Sequence, residues 1–144
     1  MYKAIVIATA AALTNAYDLE QVDNTPVSNS GKGFDISSPM STTTATCMKN
    51  AGYTTIIPRA WHSTGTIDTG ACTSLNSAKS AGILNRDVYM FPCPTCSASA
   101  SSQLNSMVNY LKANCSGSWS TMIWLDIEGS QYWTGSTTSN RTWS

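Results

Sequence analysis

Between Gly33 and Ile127 four strand-like runs alternate with segments of helical period, and this alternation limits the possible folds more than any other feature. Gly33–Ile36, the β-branched run Tyr53–Pro58, Asp87–Phe91 (halted by Pro92 and Pro94) and the apolar run Met122–Ile127 read as strands. Thr42–Ala51 carries Cys47, Met48 and Ala51 at helical spacing and closes at Gly52, while Ala71–Ala81 carries Cys72, Leu75 and Ala78 and closes at Gly82. Ser99–Cys115 sets Leu104, Met107, Val108, Leu111 and Cys115 on one stripe, an amphipathic helix. Strands each followed by a helix predict a parallel sheet with right-handed crossovers, either doubly wound or closed into a barrel. A doubly wound sheet usually announces a Gly-rich phosphate loop, and none follows the first strand. Asp35, Arg59, Tyr89, Asp126 and Glu128 all fall at the C-terminal ends of their strands, where a barrel gathers its reactive side chains. The expected fold is therefore α/β, a (β/α) TIM-like barrel. A complete barrel takes about 200 residues or more. This chain has 144, so only the first four or so β/α units are expected in it.

The N-terminus reads differently. Met1–Ala16 has one Lys, an apolar core from Ala4 to Leu13 and a small residue at its end, the pattern of a signal peptide. A membrane-spanning helix needs about 20 apolar residues, and this run is half that. Residues 17–31 are polar, contain Pro26 and show no apolar period, which predicts an N-terminal extension, with the folded domain at 32–144. Eight basic and eight acidic residues give no net charge, which argues against a nucleic-acid partner or an electrostatic membrane anchor. In a secreted chain the five cysteines are expected in structural disulfides, and the odd one is either left for a partner beyond this sequence or buried on a helix such as that of Cys47. Their spacing leaves the connectivity open. Cys93-Pro-Thr-Cys96 has the spacing of thiol-disulfide oxidoreductases, but no helix of that motif's kind follows at once. Asn114-Cys-Ser and Asn140-Arg-Thr are glycosylation sequons.

The chemistry concentrates in Trp124–Trp133. On a strand, Trp124, Asp126 and Glu128 share one face, and residues two apart lie roughly 6.5 to 7 Å apart along it, so two carboxyl groups can flank one bond of a substrate. Such pairing of a protonated acid with an anion serves sugar hydrolysis. The plain alternative is a solvated strand edge. A run this apolar is expected to be buried on both faces, which makes two acids there costly unless pairing or function retains them. Tyr132 and Trp133 follow, with flat faces suited to stacking on sugar rings or, equally, to packing. Glu128 is the candidate general acid, beside the small Gly129, and Asp126 the candidate anion. Asp35 is expected to tune the environment of Asp126 or bind substrate, with capping of the next helix as its structural alternative. Arg59 serves either a substrate carboxylate or a salt bridge. His62, the only histidine, stands in a polar stretch and is expected to be an exposed loop residue rather than a metal ligand or a triad member.

Four motifs together, GFDISSP (Gly33–Pro39), IIPRAW (Ile56–Trp61), NRDVYMFPCPTC (Asn85–Cys96) and WLDIEGSQYW (Trp124–Trp133), resemble family 25 glycoside hydrolases, the N-acetylmuramidase type of lysozyme, and within them the nematode lysozyme-like proteins. The resemblance implies a (β/α) barrel with irregular later strands that cleaves the β-1,4 bond between N-acetylmuramic acid and N-acetylglucosamine. It further implies catalysis by Glu128, Asp126 and Asp35, with Arg59, Tyr89, Tyr132 and Trp133 binding substrate. Asp126 then acts either as nucleophile or by orienting the substrate's own acetamide, and both routes retain configuration. The expected partner is bacterial peptidoglycan, met by a secreted or lysosomal monomer with no cofactor and no metal, in digestion or defence. The family's last strands have no counterpart in the sequence, so a non-catalytic wall-binding relative is the competing expectation.

Overall fold

The computed structural model describes residues 4–9 and 31–135. The extension from residue 17 to 30 and the Asn140 sequon therefore lie outside the described residues. Among the described residues seven strands form one sheet, and three helices cover one of its faces. β2 (Lys32–Ile36), β3 (Tyr53–His62), β6 (Val88–Met90) and β7 (Met122–Ile127) run parallel and lie side by side in the order in which the chain reaches them. α1 (Thr42–Asn50), α2 (Gly70–Ser80) and α3 (Ala100–Cys115) are the crossovers between successive members of that series. Two short strands, β4 (Thr66–Ile67) and β5 (Asn85–Arg86), pair with β3.

The helix boundaries follow local chemistry. Ser41 caps α1, its Oγ accepting from the Thr44 N–H at 3.1 Å, and Ser99 caps α3 through the Ser102 N–H at 3.2 Å. Gly52 and Gly82, at φ +87° and +78°, end α1 and α2 in the left-handed region that glycine enters without steric cost. β3 runs four residues past its expected end at Pro58. The proline is tolerated because it sits where β3 changes neighbours: β2 pairs with it up to Pro58, and β6 takes over from Arg59.

On the helix side, Ala60, Val88, Met90 and Ile123 from the strands pack with Leu75 of α2 and Met107 and Leu111 of α3, all essentially buried. Each of the larger of these side chains contributes about 1.5 to 3 kcal/mol by leaving water. A smaller cluster of Met40, Ala45, Ile56, Ala78 and Ile83 seats α1. The Cys72–Cys115 disulfide ties the start of α2 to the end of α3 across 43 residues of sequence. Cys93 and Cys96 bridge each other, and Cys47 is free; it is exposed, not buried as expected, because it lies on the outer side of α1.

One further expectation changes. The Met122–Ile127 strand is not buried on both faces: only Ile123 is fully enclosed, against the helices, whereas Leu125 and Ile127 on its own face and Trp124 and Asp126 on the other are half-buried. In addition, Ala4–Thr9, inside the apolar core read as a signal peptide, forms strand β1, antiparallel to β7, from Ala4 opposite Ile127 to Thr9 opposite Met122. Among the described residues no helix is long and apolar enough to cross a membrane.

Candidate active site

The sheet face turned away from the helices carries the polar groups. Side chains two apart on a strand share a face, and in-register residues of parallel neighbours point the same way. Asp35 lies opposite Ile57, Arg59 opposite Tyr89, and Tyr89 opposite Trp124. Asp35, Arg59, Asp87, Tyr89, Trp124 and Asp126 consequently occupy one face across four strands. Their proximity is electrostatic as well as geometric. Burial pushes the half-buried Tyr89 phenol above its usual value; the Arg59 guanidinium opposes this, and the carboxylates of Asp126, Asp35 and Asp68 reinforce it.

Arg59 is committed within the protein. Its Nε donates to Asp68 Oδ2 at 2.9 Å and its Nη2 to the Ser37 carbonyl at 3.1 Å, so the salt bridge, one of the two expectations for this residue, forms. Asp68 was not singled out from sequence. Its Oδ1 accepts from the Gly70 N–H at 3.1 Å at the start of α2, and its Oδ2 also lies 3.4 Å from His62 Nε2. An acid two residues before a helix, nine residues beyond a strand-end arginine, is the signal that was available. His62 is thus no exposed loop residue: it ends β3, is half-buried and leans on Asp68, since the hairpin to β4 folds that acid back onto the strand.

Asp35 is exposed and does not cap α1, a role taken by Ser41. It lines a groove of about 490 Å³ together with Ser37, Pro39, Met40, Met48 and Tyr89. Glu128 stands one residue beyond β7, exposed. The space next to it is narrower than glycine alone suggests, because a Cβ on Gly129 would come within 2.6 Å of Gln131 Oε1. Tyr132 packs edge-on against Phe91, ring centroids 4.8 Å apart, and Trp133 is buried at 8% exposure, so packing accounts for much of both rings. Among the described residues no three His, Cys, Asp or Glu side chains are grouped to hold a metal.

Two buried polar residues escaped the sequence reading. Asp87, 8% exposed, accepts from Trp124 Nε1 at 3.1 Å. Gln103, fully buried on α3, accepts from Trp61 Nε1 and the Cys93 N–H and donates to the carbonyls of Cys93 and Ala98. That knot makes the Cys93–Cys96 loop a braced structural feature, set against Gly65 of the β3–β4 turn.

A protein-family model described as Lysozyme-like protein 1 matches residues 26–143. The chain is 50% identical over 104 residues to Probable GH family 25 lysozyme 2 of Dictyostelium discoideum, covering 70% of this chain and 46% of that protein. It is 44% identical over 117 residues to Lysozyme-like protein 5 of Caenorhabditis elegans, covering 80% of this chain and 53% of that protein. The chain thus spans about half the length of the curated relatives it matches. No solved structure matches it.

Proposed function

The chain belongs to the lysozyme-like protein family, with GH family 25 lysozymes among its relatives, and from that membership we propose that it serves the hydrolysis of bacterial peptidoglycan. The bond cut is the β-1,4 link between N-acetylmuramic acid and N-acetylglucosamine, and configuration is retained. The observation that carries this reading is the convergence of Asp35, Tyr89 and Asp126 on one sheet face, with Glu128 at its rim. The sequential order of the parallel strands supports a wall of a (β/α) barrel, in which that face is the interior and the strand ends form the mouth.

In the proposed mechanism Glu128 protonates the leaving oxygen. Asp126 stabilises positive charge at the anomeric carbon by orienting the substrate's acetamide oxygen for attack or, less favoured here, by attacking directly; water then completes the cycle on the same face. Asp35 tunes the charge around Asp126 and Tyr89. Tyr89 and Tyr132 contact sugar, Trp133 supports Tyr132, and Arg59 acts on substrate through the loop it holds at Ser37. The two disulfides suit a secreted or lysosomal protein.

The exposure of Glu128 favours a second reading, a wall-binding protein without hydrolysis. Digestion of purified walls separates the two. The expected result is new reducing ends on N-acetylmuramic acid, first released as the β-anomer; wall binding with no new reducing ends would leave only the second reading standing.

A further inference from the structure

Asp87 has no part in that mechanism, yet it is a carboxyl group kept 8% exposed on the polar face of the sheet. Its backbone N–H is tied to the Ile56 carbonyl at 3.0 Å, so its position is fixed by the sheet. Its Oδ2 accepts from Trp124 Nε1 at 3.1 Å. Asp87 stands two residues before Tyr89 on one strand path, and Trp124 two residues before Asp126 on the next, with Tyr89 and Trp124 in register. The Asp87–Trp124 bond therefore runs diagonally between neighbouring strands, from one pleat before Tyr89 to one pleat before Asp126, on their own face. Buried polar groups are kept where they are paired, and burial, only partly offset by the indole bond, holds the Asp87 carboxyl above its usual range.

We propose that Asp87 is a positioning residue that locks the Trp124 indole as the floor of the site, fixing Asp126 on β7 against Tyr89. It touches no substrate. The bond requires an acceptor at Oδ2 and not a negative charge, so asparagine should preserve it while alanine should not. Trp124→Phe removes the donor and should match alanine at position 87.

The catalytic part of this inference rests on the lysozyme reading, so the test has two readouts on the full chain. The first is the ultraviolet titration of Tyr89, with Tyr89→Phe as the blank. The raised phenol titration should persist in Asp87→Asn and fall towards the usual value of 10.0 in Asp87→Ala and Trp124→Phe, as Asp126 and solvent rearrange around the ring. The second is wall hydrolysis: Asp87→Ala and Trp124→Phe should lose about 10- to 100-fold in kcat with KM changed far less, and Asp87→Asn should restore most of it. An unchanged Tyr89 titration in Asp87→Ala, or an Asp87→Asn variant as impaired as alanine, overturns the positioning role. An inactive wild-type chain overturns the lysozyme reading alone, and the titration then decides the inference by itself.

Discussion

Asp87 and Asp68 show what single residues contribute beyond their type. Both are acids whose neighbours in sequence look ordinary, and both gain meaning only from partners 37 and nine residues away. Asp35, Arg59, Tyr89, Asp126 and Glu128 were legible because strand ends can be read from a change of period. Partners reached across a sheet or a hairpin cannot, since no local pattern records which loop folds onto which strand. Asp87 also makes a pH-dependent claim. Its carboxyl is held above the usual 3.8, so between 3.8 and its raised native value the folded chain keeps a proton that the unfolded chain has released. That contribution is complete below 3.8 and is lost as pH rises through the native value. Asp87→Asn does not titrate, so its melting temperature relative to wild type should climb as the pH is raised from about 3.5 to 7. A difference independent of pH would show that burial does not perturb this carboxyl.

At the scale of elements the sequence was most informative about helices. The stripe ending at Cys115 and the two glycine stops rest on interactions within a few residues, and the structure keeps them within a residue or so. Strand limits were harder to read because they depend on neighbours, as the passage of β3 through Pro58 illustrates. The partial burial of β7 escaped for the same reason, since an apolar run does not record how far its neighbours enclose it. The disulfides differ in reach, and this predicts different effects. Replacing Cys72 and Cys115 with alanine releases a long loop, and should cost about 3 to 5 kcal/mol in denaturant unfolding. Replacing Cys93 and Cys96 opens a loop of only a few residues already braced by Gln103, and should cost distinctly less. Equal losses would mean that the α2–α3 staple is not the main covalent constraint.

For the whole molecule, the parallel series β2, β3, β6 and β7 was readable from alternation alone, whereas the antiparallel β1 was not, because its segment carries the composition of a leader. β1 occupies the outer edge of β7, and an apolar edge left bare recruits other chains. Residues 17–144 alone should therefore associate with rising concentration in light scattering while residues 1–144 stay monomeric; a monomeric, cooperatively melting shorter chain would show that β7 needs no cover. On the reading proposed above, the polar face of this sheet presents Asp126 and Glu128 as a hydrolytic pair, which is tested by comparing wild type with Glu128→Gln for both wall binding and release of reducing ends. Binding should be retained while turnover falls by about 100-fold or more, since only proton donation is lost. Turnover close to wild type in Glu128→Gln would contradict the account.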